Sequence, residues 1–262
     1  MNLAVGGLSR RTSGLVLLMT LTLVTACGSP ALASPDPTDP REIVARALQN
    51  TAALRTARFA ILVESWQVEG PGETILDAKG DVDFVSRELA ATATEDLFST
   101  GSASTADVIV ADGLIYIRSD AQQWSVSGRR GQDPWAGAPT TAELAAAIEA
   151  AIEDPATSVT LLDPVAECGQ AGCHRVQAII PRGALWKAFR PLVEQLAGQQ
   201  PTEPPSYIPE VTVDAWVEKG TLRLMQGTNS AKVLRTYIEV SFALSRHDEP
   251  IDIVAPSGAP QP

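Results

Sequence analysis

The chain has 262 residues, with 20 Lys and Arg against 31 Asp and Glu, a formal net charge of −11, and 45% hydrophobic residues. That apolar content excludes a wholly disordered chain, which needs low hydrophobicity with high charge. At this length a folded chain buries about 70–75% of its unfolded surface. The acidic balance argues against nucleic-acid binding, which needs an excess of Lys and Arg to neutralise phosphates.

Residues 1–26 read as a secretory signal peptide: Arg10 and Arg11 supply the positive start and residues 15–24 the apolar run. Ten apolar residues are too few for a mature membrane span, which takes about 20. The following Val24-Thr25-Ala26-Cys27 resembles the bacterial lipobox. That resemblance implies a diacylglyceryl thioether on Cys27, cleavage before it, and anchoring to the outer face of the cell membrane. Cleavage after Ala31-Leu32-Ala33, with Cys27 lost, is the alternative. Ser9-Arg10-Arg11 looks like the start of a twin-arginine signal, but Ser13 stands where a bulky apolar residue is expected, which favours general secretion. Residues 27–40, rich in Pro and Ser, form an extended tether. Removing residues 1–26 leaves 18 basic against 31 acidic residues, a net charge of −13. Anionic headgroups should repel such a domain, so it is expected to stand clear of the membrane on its tether.

Residues 41–255 are expected to form a single domain, followed by a disordered tail over 256–262. Asp39 caps a first helix, Pro40 suits its first position, and Glu42 stands where a capping box takes a carboxylate. Ile43, Ala47, Leu48, Thr51 and Leu54 then recur at helical spacing. Residues 58–68 read as a long strand, apolar on both faces. Ala78, Gly80, Val82 and Phe84 alternate with Lys79, Asp81 and Asp83, giving one dry face and one wet. A weaker strand covers 88–94. Segments 107–111 and 114–118 flank Asp112-Gly113, a strong hairpin signal. A second helix begins near Thr141 and stops at Asp154-Pro155, and a third runs from Pro181 or Gly183 to Gly198, where Pro191 should kink or shorten it. Further strands are expected over 159–162, 175–180, 211–217, 221–225 and 232–244, with a turn at Lys219-Gly220. The four prolines within 198–209 suggest a stiff surface connection. Nine to eleven hairpin-linked strands with three inserted helices make an α+β fold, a large antiparallel sheet covered on one face.

Cys168 and Cys173 lie between two expected strands, and in an oxidising compartment they should form a disulfide at a hairpin tip, with Gly169 and Gly172 easing the turn. A metal site from Cys168, Cys173 and His174 would have three donors at most, short of the usual two ligand pairs. No Gly-x-Ser-x-Gly elbow and no His-Glu-x-x-His occurs. His174 and His247 read as surface residues, and the paired carboxylates fall on polar faces. The chain is therefore not expected to be an enzyme or to carry a cofactor. Arg129-Arg130 could meet a lipid phosphate, though a solvated loop is the simpler reading.

Helices and strands together offer more apolar surface than a two-layer core needs, and a curved sheet closed by helices can enclose an apolar cavity. A filled core is the plainer alternative. The lipobox at Cys27, the helix over 43–54 leading into a long strand, Asp112-Gly-Leu-Ile-Tyr-Ile117, Val211-Thr-Val-Asp-Ala-Trp-Val217 and Val240-Ser-Phe-Ala-Leu244 together resemble the mycobacterial LppX/LprA/LprF/LprG lipoproteins, similar in fold to LolA. Lys219-Gly-Thr-Leu222 departs from the Thr-Gly-Leu turn usual there, and the cysteine pair is not general among members. The resemblance implies a strongly curved antiparallel half-barrel with helices covering its concave face, holding the acyl chains of a lipid or glycolipid for carriage within the cell envelope. Phe59, Ile61, Val82, Phe84, Tyr116, Ile148, Phe189, Leu192 and Trp216 are the expected lining, chosen from strand alternation and helix stripes. A sensor or assembly lipoprotein of the RseB type, binding a protein partner, is the rival reading, and an exported hydrolase lacks a recognisable polar cluster.

Overall fold

The structure, a computed structural model, describes residues 37–67, 73–96, 103–120, 122–128, 133–166, 168–169 and 171–260. The signal sequence, Cys27 and the Arg129-Arg130 doublet lie outside the described residues.

Helix α1 (Pro40–Ala52) starts where its cap predicts: the Asp39 carboxylate accepts from the Arg41 amide at 2.9 Å. Its buried stripe is Ile43, Val44, Ala47, Leu48 and Thr51. Helix α2 (Thr141–Glu153) opens on a full capping box, in which Thr140 and Glu143 satisfy each other's backbone amides. Helix α3 (Arg182–Ala197) runs through Pro191 without being shortened. Burial of Ala184, Trp186 and Leu192 along it offsets the one backbone bond that proline removes.

Eleven strands form one open, curved antiparallel sheet: β1 (Thr56–Gln67), β2 (Glu73–Asp83), β3 (Glu88–Asp96), β4 (Ser104–Ala111), β5 (Leu114–Ser119), β6 (Ser125–Gly128), β7 (Ser158–Val165), β8 (Cys173–Ile180), β9 (Val211–Glu218), β10 (Leu224–Val233) and β11 (Thr236–Ser245). Their spatial order is β6-β5-β4-β3-β2-β1-β11-β10-β9-β8-β7. The chain thus starts mid-sheet, meanders to one edge, crosses through α2 to the other edge, and returns inward until β11 pairs with β1. The Asp112-Gly113 turn has both residues at positive φ, as a two-residue hairpin of the mirror-image type requires.

Several expected boundaries change. The segment 232–244 is not one strand: it breaks at Leu234-Arg235 into the end of β10 and the whole of β11, and 221–223 is turn rather than strand. No Gly, Asn or Asp marks the Leu234-Arg235 break, so the usual turn chemistry is absent. Strand β6, Ser-Val-Ser-Gly, is too short and too polar to announce itself. β1 is dry on one face only, with Ala57, Phe59 and Ile61 buried and Arg58 and Ala60 exposed. Residues 256–260 do not trail away: Ala259 and Ile253 pack against Tyr116 and Leu114.

The two faces of the sheet differ in chemistry. The outer face carries cross-strand pairs, Arg58 with Asp81 at 2.8 Å and Arg118 with Asp107 at 2.6 Å. The concave face is apolar and divides into two clusters. The helices cover the first, over β8, β9 and β10. The second lies under β1, β2, β3 and β4, with Leu54 and Trp135 against it. Phe242 packs on both.

Candidate functional site: an apolar cavity beneath the helices

Between the three helices and strands β8 to β11 lies a cavity of about 360 Å³. Val44, Ala47 and Leu48 of α1, Leu144, Ile148, Ala151 and Ile152 of α2, and Leu185 and Phe189 of α3 form its roof. Alternate strand residues form its floor: Val176, Ala178 and Ile180 on β8, Val211, Val213, Ala215 and Val217 on β9, and Ile238, Val240 and Phe242 on β11.

The space exists because small residues line it. Ala47 and Ala151 on the helices and Ala178 and Ala215 on the sheet are among its lining. Gly227 on β10 has no room for more: a Cβ would come within 2.5 Å of the Phe242 ring, which lies across it. That ring forms the wall between the cavity and the second cluster.

Two polar residues touch the cavity. Asp214 does so through its backbone, since its carboxylate lies on the outer face, 3.4 Å from Arg175. Asn229 differs, because its register with Val213 and Val240 puts its side chain on the concave face. A pocket that is almost wholly apolar with one amide near its rim suits a long apolar ligand carrying a polar group at one end. Among the described residues no group of three or more His, Cys, Asp or Glu converges where a metal could sit.

No family model and no curated protein matches the chain. Among solved structures, LprF from Mycobacterium bovis aligns with a TM-score of 0.50 at 13% identity, over 86% of this chain and all of that one. The chain shares the LprF fold. A DUF1329-family protein from Desulfovibrio piger aligns at a TM-score of 0.27 and 10% identity, over 82% of this chain and 96% of that one.

Within this LprF fold, two of the nine expected lining residues, Ile148 and Phe189, line the cavity. Phe59, Ile61, Val82 and Phe84 are buried in the second cluster, beyond Phe242. Tyr116 is buried with residues 253 and 259, on the outer face by its pairing with Ile109. Leu192 is buried between α2 and α3, against Leu144 and Ala147. Trp216 lies on the outer face beneath the Arg175 guanidinium, 5.2 Å from its ring centre. The physical reason is parity. On β9 the small and β-branched residues 211, 213, 215 and 217 face inward, which turns the large aromatic outward. The missed residues were visible as that Val-x-Val-x-Ala-x-Val alternation, read on the wrong face.

The disulfide joins Cys168 to Cys173, with Cα atoms 5.3 Å apart. It closes the β7–β8 connection, where Gly169 and Gly172 both take positive φ. Among the described residues no helix is long and apolar enough to cross a membrane.

Proposed function

We propose that this chain is an exported lipoprotein of the LppX/LprG type that binds the acyl chains of a lipid or glycolipid and carries them within the cell envelope. The observation that supports it is the cavity: about 360 Å³, apolar on nearly every side, and bounded by small residues that leave it unfilled. Burial of an acyl chain there would yield about 25 cal/mol per Å² before the costs of binding. No chemical step and no cofactor is involved. Asn229 would meet the ester or amide group where the chain leaves the apolar region. Cys27 would carry the lipid anchor, holding the domain at the outer face of the cell membrane.

The test is direct. The chain without residues 1–27, purified in the absence of detergent, should release acyl lipid on organic extraction, read by mass spectrometry. A protein that yields no acyl lipid and takes up none when offered a long-chain lipid would overturn the reading.

A further inference from the structure

The cavity is long and narrow. Its floor follows β9 from Val211 to Val217, a length of about 20 Å at the usual rise of a strand. At one end it closes, where Val176 and Val217 are fully buried and Leu224 nearly so. At the other end Val211, Asn229 and Ile238 are only half-buried. A volume of about 360 Å³ spread over that length leaves a mean cross-section of roughly 18 Å².

Hydrocarbon has dimensions of its own. An apolar cavity of about 150 Å³ takes one benzene, so each carbon needs roughly 25 Å³. With carbon–carbon bonds of about 1.5 Å, an extended chain advances roughly 1.3 Å per carbon. Its cross-section is then about 19 Å². The cavity is therefore one chain wide. Its volume holds about 14 carbons, and its length about 15. A second chain alongside the first has no room.

One side chain sets that width. Phe242 on β11 lies across Gly227 of β10, where a Cβ would stand 2.5 Å from the ring and 3.3 Å from the Asp214 carbonyl oxygen. The ring thus rests directly on the neighbouring strand. It packs on the helix-covered cluster on one side and on the second cluster on the other. In that second cluster Val63, Ala91 and Ile115 are only half-buried. Apolar surface therefore continues past the ring, and the ring is what separates it from the cavity.

We propose that the site takes a single acyl chain of about 14 carbons, as on a monoacyl lipid, and that Phe242 is the specificity-determining residue that keeps it to one. The proposal deepens the acyl-chain reading and rests on it. A diacyl lipid would leave its second chain in water.

The experiment uses the chain with Cys27→Ser, which has no acyl anchor of its own, after delipidation. It is titrated calorimetrically with saturated lysophosphatidylcholines from about 8 to about 20 carbons, each below its micelle-forming concentration. Kd should fall about fourfold for each added carbon, at one ligand per protein, and level off near about 14 carbons. Phe242→Ala removes the whole ring and should move that break out by up to about six carbons. Phe242→Leu, the milder change, keeps the site apolar and should move it by up to about three. Dioctanoylphosphatidylcholine tests the width without any variant: the parent should bind it within about tenfold of its one-chain counterpart, whereas burial of both chains would add a thousandfold or more, on the order of fourfold per methylene. A break at the same length in the parent and both Phe242 variants, or no break up to about 20 carbons, would overturn the single-chain site and leave acyl binding standing. A thousandfold gain for the two-chain lipid would do the same. No binding at any length would overturn both.

Discussion

Ala47, Ala151, Ala178 and Ala215 line the cavity without long side chains, while at Gly227 the Phe242 ring takes the place a side chain would fill. His247 shows the opposite situation. Read from sequence as a surface residue, it turns inward, and its Nε2 is buried with no hydrogen-bond partner. Burial, then the positive charge of Arg223, push its pKa below the ordinary 6.5, against smaller opposing effects of Glu218 and Asp248. A histidine whose folded pKa is depressed favours the folded state while neutral. Its contribution is whole above the unfolded value of about 6.5 and is lost as pH falls through the folded value. Urea denaturation of the parent should therefore show stability dropping on acidification below about pH 6.5, and His247→Gln should flatten that drop. An identical slope in both proteins would show that His247 is not its source.

At the scale of elements, each helix position follows from the sequence, and each has a different support. α1 and α2 are held by side-chain caps at Asp39 and Thr140, visible as local patterns. α3 has no side-chain cap and contains Pro191, so packing sustains it. Among strands, the Asp112-Gly113 hairpin was legible because its residues tolerate positive φ. The β10–β11 hairpin was not, because Leu234 adopts such a φ without belonging to the residue types that signal it. The roof and floor of the cavity offer an element-level prediction. Ala178→Leu, on β8 facing α2 and α3, should place its added carbons in open space. Stability should then hold or rise by up to about 2 kcal/mol, while the acyl lipid recovered per mole of protein falls. A loss of about 1–3 kcal/mol in chemical denaturation would instead mark overpacking at a site with no room.

For the whole molecule, the asymmetry of the fold decides what can bind. Helices cover one half of the concave face and the second cluster fills much of the other, with Phe242 dividing them. A ligand that enters the cavity must stabilise the folded chain by mass action, since the unfolded chain has no such site. Delipidated protein titrated with a lysophospholipid bearing a single long acyl chain should show a thermal midpoint that climbs with ligand concentration, by about 2–4 °C for each kcal/mol of linkage. A midpoint unmoved at saturating ligand would speak against occupancy. The sequence alone determined the three helices and most strands in their order, though not β6 or the β10–β11 break: caps, turn glycines and period-two alternation act over a few residues, so they are readable locally. It also placed Cys168 and Cys173 in one hairpin loop, where a disulfide is close at hand. Only the tertiary structure decided which parity of each strand faces the helices and which half of the sheet they cover. Alternation establishes that a strand has two faces but carries no information about which one its distant neighbours will bury. Ile148 and Phe189, on the helix stripes facing the sheet, line the cavity, whereas Leu192, on the same α3 stripe, packs between α2 and α3. Trp216 and Tyr116 lie on the outer face by parity, and Phe59, Ile61, Val82 and Phe84 are buried in the half the helices do not cover.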